Sequence, residues 1–134
     1  MADNLRFGLD YRPAPWQPVQ DFSDVAGLAG AVEMCNGAGV CRQARGAMCP
    51  TFQASRDELH STRGRANLLR ELISGRTLPF EAADEAAFES LSMCLACKGC
   101  KAECPSTVDV AKLKYEFMNQ YYTCLLYTSD AADE

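Results

Sequence analysis

The run Cys94-x-x-Cys97-x-x-Cys100-x-x-x-Cys104-Pro105 has the spacing with which thiolates wrap an iron-sulfur cluster while the cysteine before proline serves a neighbouring one. Three cysteines at intervals of three, turned inward on a short helical loop, hold three corners of a 4Fe-4S cube. The fourth corner must come from elsewhere, so a partner motif is expected. It lies upstream as Cys35-Asn36-Gly37-Ala38-Gly39-Val40-Cys41, followed by Cys49-Pro50. Aligned on their first cysteines, Cys35 matches Cys94, Cys41 matches Cys100, and Ala38 falls where the repeat demands Cys97. Crossing the prolyl cysteines gives one complete set, Cys49 with Cys94, Cys97 and Cys100, and one of three thiolates, Cys35 and Cys41 with Cys104. Three thiolates suit a 3Fe-4S cluster or a 4Fe-4S cluster with a non-cysteine ligand; a metal-free second site stays open. The stretch from Cys41 to Cys49 is also longer than that from Cys100 to Cys104.

Other uses of cysteine fit less well. A disulfide framework belongs with secretion, and Met1 to Asp10 lacks the basic region and apolar stretch of a signal peptide. Zinc is the stronger alternative, because paired CxxC units form tetrahedral sites. Zinc motifs, however, rarely combine three cysteines at successive intervals of three with a fourth before proline, and here the pattern recurs in degenerate form. Of the 8 cysteines, only Cys124 stands outside the two motifs. It opens Cys124 to Glu134, which resembles the conceptual translation of a transposon-end sequencing adapter, so residues 123–134 are set apart from the fold argument as a tail that is not native.

At 134 residues the chain has single-domain length, and clusters would supplement a modest core. A net charge of -5 opposes a nucleic-acid footprint, which would be basic. No apolar run approaches the roughly 18 residues of a membrane span.

Residues 1–22 carry Pro13, Pro15, Pro18 and Trp16, the composition of an extended linker or docking arm, with Trp16 expected to anchor against a neighbouring domain. Residues 23–122 form the cluster domain. Within it Asp24 to Met34 suits a short helix that delivers Cys35. Ser61 or Thr62 caps a helix running from Arg63 to Ser74, with Ala66, Leu69 and Ile73 on its apolar face and Gly75 as its stop. A further helix over Asp84 to Met93 turns Phe88 and Leu91 inward. Asp109 caps a last helix in which Val110, Leu113, Phe117 and Tyr121 face the core and Lys112, Lys114, Glu116 and Asn119 face solvent. No segment alternates as a strand does, so the expected class is all-α, with cysteine loops at helix ends.

A cluster with its thiolates is anionic, and nearby cations and N–H donors favour its reduced form. Arg42, Arg45, Arg63 and Arg65 are candidates for that role, or for ordinary surface contacts. Gly37 and Gly39 let backbone approach the sulfurs, and Pro50 and Pro105 direct the chain away after the last ligand. His60, the only histidine, suits a supporting position at a helix entry better than direct ligation. No Ser-His-Asp set, phosphate-binding glycine loop or carboxylate pair marks a substrate-processing site, so no catalytic residue is expected in this chain.

Together, Glu33 to Arg42, Met48 to Thr51, His60 to Ala66 and Cys94 to Pro105 resemble the iron-sulfur segment of FAD-linked oxidases of the D-lactate and D-2-hydroxyglutarate dehydrogenase type, in which a flavin domain is fused to a glycolate-oxidase-like iron-sulfur region. The resemblance spans about Leu5 to Tyr122. It implies an α-helical ferredoxin-like two-cluster domain, FAD in a preceding flavin domain, and a following cysteine-rich domain. It implies an electron-transfer module relaying electrons from flavin, after oxidation of a D-2-hydroxy acid elsewhere in the parent enzyme, to a quinone or protein acceptor. Such a module is cytoplasmic, or peripheral to the inner membrane through its acceptor. The fold is also similar to the iron-sulfur subunits of succinate dehydrogenase and fumarate reductase, in which a copy lacking its middle cysteine holds a 3Fe-4S cluster. Ala38 matches that replaced position, which implies Cys35, Cys41 and Cys104 as the three ligands. The alternatives are a structural metal-binding interaction module and an iron-sulfur subunit of a separate succinate-dehydrogenase-like complex.

Overall fold

The chain folds as a succession of helices joined by short turns. In the computed structural model, which describes the backbone of residues 16–74 and 80–132 and side chains over 16–74 and 84–124, the elements run α1 (Gly27–Glu33), α2 (Pro50–Ser55), α3 (Thr62–Ser74), α4 (Phe80–Ser92), α5 (Gly99–Glu103) and α6 (Val110–Ala132). Single 3₁₀ turns at Ser23–Val25, Val40–Arg42 and Glu58–His60 join them. No strand occurs among the described residues, so the all-α class holds.

Ser61 Oγ accepts the Gly64 N–H at 2.9 Å and Asp109 Oδ1 accepts the Lys112 N–H at 3.0 Å; each satisfies an orphan donor in the first turn of its helix, α3 and α6 respectively. Pro50 opens α2, where its missing N–H costs nothing. Gly64 is required by close approach: a Cβ there would stand 1.9 Å from the Glu58 carbonyl oxygen. That gap lets the 3₁₀ turn lie directly on the first turn of α3.

α3 is the centre of the bundle, touching α1, α4 and α6. Its Ala66, Leu69, Leu72 and Ile73 are buried with Leu28 and Val32 of α1, Leu91 of α4, and Val110, Leu113 and Phe117 of α6, each large side chain contributing about 1.5–3 kcal/mol of hydrophobic stabilisation. Phe88 stacks on Tyr121 with ring centroids 4.4 Å apart, which ties α4 to α6.

The element boundaries follow the periodicity with three departures. The helix expected from Asp24 breaks into a 3₁₀ turn and α1, because Ala26 adopts φ 61° between them. α4 begins at Phe80, a turn earlier than Asp84. α6 continues through the segment set apart at the C-terminus as far as Ala132. Gly75, the expected stop of α3, lies outside the described residues, as do Pro13 and Pro15.

Glu116 overturns its expected place in solvent. It is 1% exposed, and its two carboxylate oxygens accept the Val19 and Gln20 N–H groups at 2.9 and 3.1 Å. That pairing lets a carboxylate occupy the α6 face between Leu113 and Phe117. The end of the arm is thereby strapped to α6. Trp16, expected to anchor against a neighbouring domain, has its ring 6.4 Å from that of Phe117 on α6. Lys112 also turns back, with its Nζ above the Phe22 ring at 4.2 Å and donating to the Asp21 carbonyl. Among the described residues no helix is long and apolar enough to cross a membrane.

Candidate metal centre

The cysteines gather at two cavities on either side of the start of α3. One is lined by Cys49, Cys94, Cys97 and Cys100, with Thr62, Arg65, Val110 and Ala111. The other is lined by Cys35, Cys41 and Cys104, with Ala38, Gly39, Thr62 and Arg63. Cys49 thus borders the cavity of the downstream motif, and Cys104 that of the upstream motif. Thr62 forms part of both walls. No disulfide joins the seven motif cysteines. Among the described residues, no three Cys, His, Asp or Glu side chains are grouped closely enough to hold one metal ion; the thiols border a space instead.

Four of the thiols lie in or beside helical turns. Cys41 sits in the Val40–Arg42 turn, Cys49 directly precedes α2, and Cys100 and Cys104 lie within and just after α5. The Cys104 N–H donates to the Cys100 carbonyl at 2.8 Å, so one hydrogen bond links the two sites. The Cys94–Cys100 loop is less helical than its spacing suggests. Ala96 and Lys98 both take left-handed backbone, with φ 54° and 62°, and helix begins only at Gly99.

Two carboxylates hold the frame. Glu103 accepts the Ala47 and Met48 N–H groups at 2.8 and 3.0 Å, drawing the loop before Cys49 against α5. Those two hydrogen bonds keep its carboxyl below the usual range. Asp109, besides capping α6, pairs with Lys98 at 3.2 Å and Lys101 at 3.6 Å. Burial works against its ionisation, but the Lys112 N–H and Lys98 outweigh it and the carboxyl is lowered. Neither function is visible in the cysteine spacing.

The sulfurs differ in environment. Burial alone would raise the Cys49 thiol, but the Thr51 hydroxyl, the Phe52 N–H and Arg65 together bring it below the ordinary value. Burial pushes Cys41 up, although the Arg63 N–H donates to its Sγ at 3.4 Å. Cys100 is likewise raised by burial. The backbone donors to sulfur include Arg63 and Ala96; Gly37 and Gly39 supply positive φ, 80° and 77°, which lets their loop turn tightly.

The arginines separate in the same way. Arg65 is buried and reaches Cys49 Sγ at 3.5 Å. Arg63 bonds the Gly37 carbonyl at 3.1 Å and pairs with Glu58 at 2.8 Å. Arg42 pairs with the same Glu58 at 2.9 Å, and Arg45 bonds Gln43 on the exposed surface. Arg70, which the sequence did not single out, holds the Cys35 carbonyl at 2.9 Å from α3. The His60 ring lies 2.8 Å from Ser55 Oγ and lines neither cavity; only its carbonyl approaches the cysteines, accepting the Thr51 hydroxyl at 3.1 Å.

Helices packed round two crossed cysteine sets define an α-helical ferredoxin-like architecture. The chain belongs to the 4Fe-4S dicluster domain family, whose profile matches residues 31–108, more than half of the chain and all seven motif cysteines. It is similar to D-2-hydroxyglutarate dehydrogenase of Pantoea ananatis, 31% identical over 70% of this chain and 13% of the relative, and to that of Escherichia coli, with the same identity and shares. The glycolate oxidase iron-sulfur subunit of E. coli is 37% identical over 46% of this chain and 14% of the subunit. The chain therefore spans only a small part of the length of these relatives. No solved structure matches it.

Proposed function

We propose that this chain is the electron-relay module of a FAD-linked D-2-hydroxy-acid dehydrogenase of the D-lactate, D-2-hydroxyglutarate or glycolate type. In this reading Cys49, Cys94, Cys97 and Cys100 hold a 4Fe-4S cluster. Cys35, Cys41 and Cys104 hold a second cluster, either 3Fe-4S or 4Fe-4S with a non-cysteine ligand. The supporting observation is that the exchanged prolyl cysteines stand at two separate cavities with one shared wall. When bound, such clusters supply one-electron carriers in a protein shell.

The chain's own residues do the rest. Val110 and Ala111 line the four-thiol cavity with apolar surface, which shields its buried Cys49 and Cys100 from water. Thr62 and the Cys104-to-Cys100 hydrogen bond connect the sites. Cys97 is exposed and gives the four-thiol site a face toward a partner. Residues 1–22 act as a docking arm, 23–122 as the cluster domain, and 123–134 as a tail outside it. Hydroxy-acid oxidation belongs to a flavin domain of the parent chain, which donates the electrons. A downstream cysteine-rich domain, a quinone or another protein accepts them, in the cytoplasm or at the inner-membrane surface.

The test is to reconstitute the chain anaerobically with ferrous iron and sulfide and mix it with photoreduced free flavin. Visible absorbance is expected to bleach and to return on adding a soluble quinone. Bound zinc without sulfide, and a spectrum indifferent to reduced flavin, contradict the reading.

A further inference from the structure

Arg65 is 1% exposed. Its Nε donates to the Ser90 carbonyl at 3.1 Å, its Nη2 to Thr51 Oγ1 at 3.0 Å, and its Nη1 to Cys49 Sγ at 3.5 Å. None of these acceptors is a carboxylate. The ion pairs among the described residues involve Arg42 and Arg63 with Glu58, and Lys98 and Lys101 with Asp109, and none reaches Arg65. A guanidinium cannot shed its proton in a protein, and a buried charge without an opposite charge is strongly unfavourable. The contrast with Arg63 is direct. Arg63 has a partly exposed side chain, at 24%, and a carboxylate partner, so its charge is both solvated and neutralised.

What opposes Arg65 must lie where its third nitrogen, Nη1, points, at the cavity bordered by Cys49, Cys94, Cys97 and Cys100. We propose that Arg65 is the dedicated counter-cation of the four-thiolate cluster and raises its reduction potential. This rests on the electron-relay reading above and adds to it the residue that sets the energy of one carrier. Reduction adds one electron, and so one negative charge, with no proton or other atom gained. A fixed, buried cation beside the cluster therefore stabilises the reduced form more than the oxidised form. Ser90 and Thr51 fix the plane of the guanidinium, and Thr51 Oγ1 itself stands 3.3 Å from Cys49 Sγ. Nη1 is thus aimed at sulfur before any electron arrives, and no reorganisation is needed on reduction.

The experiment is a redox titration, followed by electron paramagnetic resonance, of the 134-residue chain reconstituted with ferrous iron and sulfide. Arg65→Gln, Arg65→Lys and, as a surface-charge control, Arg42→Gln are compared with the unaltered chain, each with its iron and sulfide content measured. Arg65→Gln is expected to lower the equilibrium constant for reduction of the four-thiolate cluster at least tenfold, about 59 mV for one electron. Arg65→Lys should recover most of that loss, and Arg42→Gln should change it less than twofold. Arg65→Gln with full iron and sulfide and a potential within twofold of the unaltered chain overturns the proposal. If Arg65→Gln takes up no iron, uptake by Arg65→Lys supports a requirement for charge, whereas failure of both means that shape is what matters and overturns it. An unaltered chain that takes up no iron and sulfide brings down the underlying reading, and the proposal with it, and is distinguished from the other outcomes by that control alone.

Discussion

The two cysteine cavities are built from a repeated motif, share Thr62, and yet differ in how they treat charge. The four-thiol cavity faces a buried arginine with no carboxylate partner, and the thiol it touches, Cys49, is shifted toward the thiolate, although burial raises Cys100 in the same cavity. The three-thiol cavity faces Arg63, whose charge is shared with Glu58 at its edge, and its buried Cys41 is shifted toward the neutral thiol. Fewer thiolates thus meet less uncompensated positive charge. The repeated motif supplies the geometry of both sites, while two residues on either side of Gly64 in one helix, Arg63 and Arg65, make them electrostatically distinct.

The largest test of this contrast is to remove a sulfur from each side. Cys94→Ser should cost the reconstituted chain about four irons together with the signal that appears on reduction, whereas Cys35→Ser should spare that signal and remove only the irons of the second site. A common loss from either change would show that the cavities are not independent. Next in size is Gly64→Ala, which drives a Cβ into the Glu58 carbonyl beneath both sites. It should destabilise the chain by about 3 kcal/mol in denaturant titration and impair iron uptake at the two sites alike. An effect confined to one site would mean that the start of α3 is not their shared support.

Smaller effects should sharpen the distinction. Glu116→Ala leaves the Val19 and Gln20 N–H groups without their acceptor, and should lower stability by about 2 kcal/mol while leaving both potentials in place, since the strap lies away from the cysteines. Asp109→Ala removes the cap of α6 and should lower stability by about 1 kcal/mol. Because Asp109 also holds Lys98 and Lys101, its loss should slow iron uptake at the four-thiol site more than at the three-thiol site, as absorbance during reconstitution would show.

The cysteine sets and the helices were legible because both are periodic and local. Intervals of three between cysteines, and three-and-four spacing of Leu69, Leu72 and Ile73 or of Leu113 and Phe117, depend only on chain geometry. Four arginines near the motifs were also legible, but their ranking was not. Arg63 and Arg65 are two residues apart, and only the packing of α3 against α2 and α4 decides that one is buried and the other is not. Glu103 and Glu116 were illegible for a related reason. A carboxylate reads as solvent-facing unless its distant acceptor role is known, and their backbone donors, at Ala47 and Met48 or Val19 and Gln20, are remote in sequence. Gly64 gave no signal at all, since its need arises from a turn folded back across it.

The most direct measurement is iron and acid-labile sulfide per chain after anaerobic reconstitution, with low-temperature electron paramagnetic resonance before and after reduction. Two unequal sites predict about seven to eight irons with matching sulfide, and distinct signals in the oxidised and the reduced sample if the second site holds a 3Fe-4S cluster. About four irons with a signal only on reduction, unchanged by Cys35→Ser, would contradict the second site, and zinc without sulfide would contradict the account as a whole.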